Sequence, residues 1–129
     1  MLLKTRIDPV IETQRLILDP LRPDDAAALF AYRSLPEVAR YQGWRPADVS
    51  EAHAFIDEQA ATAFGAPDSW CQRAIRDKAT GDLVGDFGAH FPPTVSDPIE
   101  FGLSLKPEAQ GMGYAREVMT AAIDRAFRD

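Results

Sequence analysis

Three observations predict an α/β domain: a strand-period segment near the N-terminus, two helix-period segments after it, and an antiparallel meander that passes at Pro107 into a final amphipathic helix. A chain of 129 residues suits one domain spanning residues 1–129, long enough to bury roughly two thirds of its unfolded surface.

The elements follow in order. Arg15, Ile17 and Asp19 alternate with Leu16, Leu18 and Pro20, a short strand with one buried face before a turn at Pro20 to Pro23. Pro23, Asp24 and Asp25 open a first helix running to about Arg33, since proline tolerates the first turn and carboxylates favour the positive end of the dipole. Asp48 followed by Glu51 resembles a capping box. Val49, Ala52, Phe55, Ile56, Ala60, Ala63 and Phe64 then recur at helical spacing and predict a second helix. Trp70 to Ile75 and Leu83 to Phe91 read as a hairpin around the turn residues Lys78 to Asp82, and Ile99 to Leu105 as a third hairpin strand. After Pro107 the period becomes helical: Ala115, Val118, Met119, Ala122, Ile123, Ala126 and Phe127 form one apolar stripe. The turn Gln110-Gly111-Met112-Gly113 therefore joins a strand to a helix N-terminus.

Composition excludes several classes. Fourteen Lys+Arg against twenty Asp+Glu give a net charge of -6, which argues against nucleic-acid binding and tolerates a cationic acceptor. No apolar run approaches the roughly 20 residues of a membrane span, and Met1 to Pro9 does not read as a secretory leader, so a cytoplasmic protein without membrane association is expected. The single cysteine, Cys71, reads as a small buried strand residue rather than a nucleophile, and no Cys/His cluster has metal spacing. His53 and His90 lack partner patterns and read as structural.

Two glycines before a helix let backbone N–H groups approach a ligand closely. The unsatisfied first-turn donors and the helix dipole then make a site for phosphate. A plain glycine-rich turn is the alternative on the glycines alone. A nucleotide site is a weaker one, because the phosphate-loop wording and a third glycine at dinucleotide spacing are both missing.

The wider wording, Gln110-Gly111-Met112-Gly113-Tyr114-Ala115, resembles the Gln/Arg-x-x-Gly-x-Gly/Ala coenzyme A motif of the GCN5-related N-acetyltransferases (GNAT family). Pro107-Glu108-Ala109, Glu117 and the opening Glu12-Thr13-Gln14-Arg15-Leu16 to Pro23-Asp24-Asp25-Ala26 are similar to its ribosomal-protein alanine acetyltransferase branch. The resemblance implies a mixed, mainly antiparallel sheet flanked by helices, and transfer of an acetyl group from acetyl-CoA to a primary amine by direct attack on the thioester. It implies that the amides of Gly111, Met112, Gly113, Tyr114 and Ala115, with Gln110, hold the pyrophosphate. Leu103 and Leu105 would offer backbone groups to the pantetheine arm, and no metal is called for.

Attack by an amine of ordinary pKa needs a proton acceptor. Alternation places Ile99, Phe101, Leu103 and Leu105 on one face and Glu100, Gly102 and Ser104 on the other, where a Glu is unusual unless that face is a cleft. Glu100 is the candidate base; an exposed charge at a strand end is the alternative. Glu-x-Gly on this strand is similar to an acidic position in related acetyltransferases, and a backbone N–H near Leu103 would steady the oxyanion. Tyr41, Trp44 and Arg45 occupy a loop that resembles the family's acceptor wall, and read equally as surface packing.

A full member of the family continues with a parallel strand, a helix and a closing hairpin that carries a general-acid tyrosine, whereas this sequence stops at Asp129. The domain is therefore expected to be C-terminally incomplete, through truncation, fragmentation or completion by another chain. A homodimer through the uncovered sheet edge or the last helix would follow. A degenerate or partner-completed module, which binds CoA or another chain without catalysis, is the second function class.

Overall fold

The computed structural model describes residues 10–39, 45–62, 66–94 and 96–128. In chain order these form β1 (Ile11–Glu12), β2 (Leu16–Pro20), a 3-10 turn (Pro23–Asp25), α1 (Ala26–Arg33), α2 (Pro36–Ala39) and α3 (Val49–Ala60). There follow β3 (Ser69–Asp77), β4 (Leu83–Phe91), β5 (Glu100–Leu105), a second 3-10 turn (Pro107–Ala109) and α4 (Tyr114–Arg128). The α/β class and the order of the expected elements stand. The two-residue β1 and four-residue α2 were not expected, being too short to carry a period.

All five strands pair antiparallel with their sequence neighbours, in the order β1-β2-β3-β4-β5. Helices cover both faces. Leu16, Leu18, Ile75, Val84, Phe87 and Leu105 bury one face against Tyr114, Val118 and Ala122 of α4. Leu21, Ala74 and Leu83 meet Ala26, Leu29 and Tyr32 of α1 and Ala52 and Ile56 of α3 on the other. Cys71 is buried in β3.

Local chemistry sets the ends. Asp48 Oδ1 accepts the Glu51 N–H at 3.0 Å, while Glu51 Oε1 accepts from Ala47 N at 2.7 Å, one residue earlier than the capping box expected. α3 closes at Ala60; Ala63 and Phe64, expected to continue its stripe, lie outside the described residues, as do Tyr41 and Trp44. In the β3-β4 turn Asp77 Oδ1 accepts from the amides of Ala79 and Thr80, and Gly81 takes φ +81.

Asp19 departs from simple alternation, because it is buried rather than exposed. Arg76 of β3 explains it: Nε donates to Asp19 Oδ1, and Nη1 and Nη2 to the two carboxylate oxygens of Asp25, each at 2.8 Å. Burial opposes the charged form of Asp25, yet the Arg76 guanidinium and the Arg22 N–H hold its carboxyl below the usual range. The cluster fastens the turn before α1 to the sheet.

Candidate functional site

Gly111 and Gly113 adopt φ +78 and +82, in the left-handed region that side chains disfavour, so the turn before α4 needs both glycines. The first bond within α4 runs from Glu117 N to Gly113 O at 3.1 Å. The amides just before Glu117 therefore have no partner inside the helix, and they point out of its N-terminus. Gln110, Gly111, Met112, Gly113 and Ala115 are exposed, whereas the Tyr114 ring is buried against the core. Tyr114 can thus offer a ligand its backbone but not its ring.

Arg15 and Thr13 pin this turn, a role the sequence did not reveal. Arg15 Nη1 donates to Met112 O at 2.8 Å and Nε to Glu117 Oε1 at 2.7 Å, and the guanidinium lies 4.6 Å from the Tyr114 ring centroid. Glu117 Oε2 also accepts from Thr13 Oγ1 at 2.5 Å and from Arg15 N at 2.9 Å. Burial works against the ionised Glu117, but these donors hold its carboxyl below the ordinary value. The start of β2 is thereby locked to the first turn of α4, and the glycine turn is fixed in place without a ligand.

β5 leads into the turn with a specific backbone polarity. Lys106 N donates to Val84 O at 2.9 Å, which sets the phase of the β4-β5 ladder. Antiparallel pairs alternate between bonded and non-bonded, so Ser104, Gly102 and Glu100 bond to β4. The N–H and C=O of Phe101, Leu103 and Leu105 are turned away from β4. Gln110 Nε2 reaches back to Leu105 O at 3.1 Å and ties turn to strand.

The two faces of β5 differ. Phe101, Leu103 and Leu105 pack toward α4, with Phe101 stacked on Phe87 at 5.8 Å between centroids. Glu100, Gly102 and Ser104 face the α1 side, opposite His90, Gly88 and Asp86. Glu100 is exposed at the strand start. His90 Nε2 lies 3.4 Å from Asp68 Oδ1 and its ring stacks at a tilt on Trp70, a surface role, and His53 is exposed on α3. Arg45 donates from Nη2 to Ser34 O at 2.7 Å.

Beneath this face lies a polar cluster that sequence reading missed. The buried Asp86 carboxylate accepts from the Tyr32 hydroxyl, from Arg33 Nη2 at 2.5 Å and Nε at 3.3 Å, and from Gln72 Nε2 at 2.6 Å. Burial pushes the Tyr32 phenol well above its ordinary value and the adjacent carboxylate pushes it further, so the hydroxyl stays a donor. The adjacent Tyr32 and Arg33, Gln72 and Asp86 come from three separate elements and form no motif; an Asp amid the apolar and glycine residues of β4 was the one visible signal. Among the described residues no His/Cys/Asp/Glu group could hold a metal, and no helix is long and apolar enough to cross a membrane.

Comparison with known proteins identifies the family and the fold. The acetyltransferase (GNAT) domain model matches residues 15–129. The uncharacterized N-acetyltransferase YoaA of Bacillus subtilis (strain 168) is 31% identical over 120 residues, 92% of this chain and 67% of that protein. The uncharacterized N-acetyltransferase p20 of Bacillus licheniformis is 30% identical over 116 residues, covering 89% and 64%. The chain thus spans about two thirds of the length of both relatives. Among solved structures, a GNAT-family acetyltransferase from Bacillus anthracis shares the fold at TM-score 0.76 and 21% identity, covering 93% of this chain and 67% of that one. A candidate ribosomal-protein-serine acetyltransferase of Vibrio cholerae, of the branch that the opening residues resemble, superposes at TM-score 0.74 with 26% identity over 91% of this chain and 66% of its own. With a family model over residues 15–129 and relatives of this identity, the chain belongs to the GNAT family of N-acetyltransferases.

Proposed function

We propose that the protein binds acetyl-CoA along β5 and the α4 N-terminus and passes the acetyl group to a primary amine. The observation that carries this is the glycine turn: two positive-φ glycines, pinned by Arg15, aim the first amides of α4 outward at the end of a strand whose Leu103 and Leu105 backbone groups face away from the sheet. The amides of Gly111 to Ala115 suit a pyrophosphate. The outward groups of Leu103 and Leu105 suit the amide-rich pantetheine arm. β5 spans roughly 17 Å, so a cofactor anchored at the turn lays its thioester toward the Glu100 end.

At that end an incoming ammonium gives a proton to the Glu100 carboxylate, directly or through water. The amine then attacks the thioester carbonyl, an N–C bond forms, the C–S bond breaks to release the CoA thiolate, and the nitrogen's second proton passes to that sulfur to leave the amide and the CoA thiol. A β5 N–H near Leu103 steadies the oxyanion. The amine class has support at fold level: the spermidine N-acetyltransferase of Vibrio cholerae, solved with CoA and spermine, superposes at TM-score 0.71 with 17% identity.

Titration calorimetry with acetyl-CoA tests the reading. Binding is expected for the parent and its loss for Gly113→Asp, where φ +82 and Arg15 Nη2 at 3.4 Å from a Cβ oppose any side chain and the carboxylate repels phosphate. Equal affinity in both proteins would overturn it.

A further inference from the structure

The first turn of α4 carries a carboxylate close to where acetyl-CoA would put its phosphates. Glu117 is the acidic residue of that turn, and its N–H donates to Gly113 O at 3.1 Å, so its side chain leaves α4 one turn from the glycines. A helix N-terminus favours one negative charge, and a carboxylate already there repels a phosphate that approaches the same end. Burial opposes the Glu117 charge, but its donors hold the carboxyl below the ordinary value, so it is ionised near neutral pH. Left bare, Glu117 would weaken the site that the two glycines build.

Arg15 keeps it from being bare. Arg15 Nε donates to Glu117 Oε1 at 2.7 Å, while Oε2 accepts from Arg15 N at 2.9 Å and from Thr13 Oγ1 at 2.5 Å. All three donors come from the residues just before β2, and they hold the carboxylate on that side. The same guanidinium reaches the turn itself. Its Nη1 donates to Met112 O at 2.8 Å, and Nη2 lies 3.4 Å from where a Cβ on Gly113 would stand. A planar fork can bind a carboxylate and a carbonyl at once, which the point charge of a lysine does less well.

We propose that Arg15 is a positioning residue for cofactor binding: it offsets the Glu117 charge and holds that carboxylate toward β2, so that the free amides of the glycine turn are left to the phosphates. It acts through Glu117 and the Met112 carbonyl. The proposal rests on the acetyl-CoA reading of the turn and deepens it by naming a determinant outside the Gln110 to Ala115 segment. One consequence is peculiar to it. The loss caused by removing Arg15 should be repaired by neutralising Glu117 as well, because the harm comes from the carboxylate that Arg15 leaves behind. If Arg15 served only to stabilise the fold, the second substitution would take away further bonds and repair nothing.

The test is calorimetric titration at pH 7 with acetyl-CoA and, separately, with inorganic pyrophosphate. Arg15→Met is expected to weaken both ligands about tenfold or more, and Arg15→Met with Glu117→Gln to recover most of that loss. In the parent, where Arg15 already offsets the charge, Glu117→Gln should gain less than about threefold. Added salt should narrow the gap between parent and Arg15→Met, since screening weakens the repulsion. Arg15 is 42% exposed, so water offsets the lost ion pair and the variants should fold, which their melting curves check. An Arg15→Met protein that binds acetyl-CoA like the parent, or a double variant as weak as Arg15→Met, would overturn the positioning role and leave the cofactor reading intact. A parent that binds pyrophosphate in this Arg15-dependent way but not acetyl-CoA would refute the cofactor reading alone. A parent that binds neither would refute both.

Discussion

The glycine turn before α4 and the buried cluster around Asp86 are built by opposite means. The turn is local: six consecutive residues, Gln110 to Ala115, supply its backbone, and the stabilising side chains sit around it near the surface. The cluster is assembled from α1, β3 and β4, and is held by a buried carboxylate with four donors. A surface held by exposed ion pairs tolerates the loss of one, because water replaces it. A cluster held by buried charge does not, because the partner left behind has no water to turn to. The difference teaches where mutations should be silent and where they should unfold the protein or stop the reaction.

The largest expected effect is at Glu100, at the start of β5. Glu100→Gln should keep acetyl-CoA affinity while turnover falls roughly a hundredfold to ten-thousandfold near neutral pH, since a base acts on the chemical step. The deficit should narrow at higher pH, where free amine is abundant. A pH-rate profile of both proteins, run against peptides, polyamines and aminoglycosides, checks this. Coincident profiles would leave Glu100 an exposed strand-end charge.

Next comes the buried cluster. Arg33→Met strands the Asp86 carboxylate with no counter-charge from Arg33 and should cost about 3–5 kcal/mol, read from urea denaturation. Adding Asp86→Leu should recover much of that loss, because it removes the stranded charge, although the Gln72 amide then loses its orientation. A double variant no more stable than Arg33→Met would mean that the cluster's worth lies in packing.

The same contrast explains what the sequence disclosed. Strand and helix periods were readable because burial imposes them residue by residue, and the glycine turn was readable because it is a run of consecutive residues whose backbone needs glycine. Arg15 and Glu117 were each visible as parts of a family-like context, 102 positions apart, but nothing in one dimension says that they touch. Tyr32, Arg33, Gln72, Asp86 and Ser104 are joined only by the sheet register and by α1 crossing its face, and alternation alone assigns a buried Asp to solvent. Asp19 misled in the same way, for the same reason.

A smaller effect sharpens the account of the turn. Glu117→Gln should cost about 1 kcal/mol or less, since Arg15 is largely exposed and water screens the pair. Because the Glu117 carboxyl is held below its ordinary value of 4.5, its contribution is complete above about pH 4.5 and fades as pH falls through the folded value. The gap in melting temperature between parent and Glu117→Gln should therefore be present at pH 7 and close in acid. A gap that did not narrow at all as the pH was lowered would show that the loss is one of shape rather than charge.

The smallest effect has the opposite sign. Ser104 carries a buried hydroxyl without a partner among the described residues, and a desolvated polar group left unpaired opposes folding. Ser104→Ala deletes that group and little packing, so the protein should become more stable by up to about 1 kcal/mol, a rise of a few degrees in Tm for a domain of this size. Calorimetric melting of parent and variant measures the difference. A less stable variant would mean that the Ser104 hydroxyl already has a partner in the folded protein, so that its removal costs a hydrogen bond instead of relieving an unpaired one.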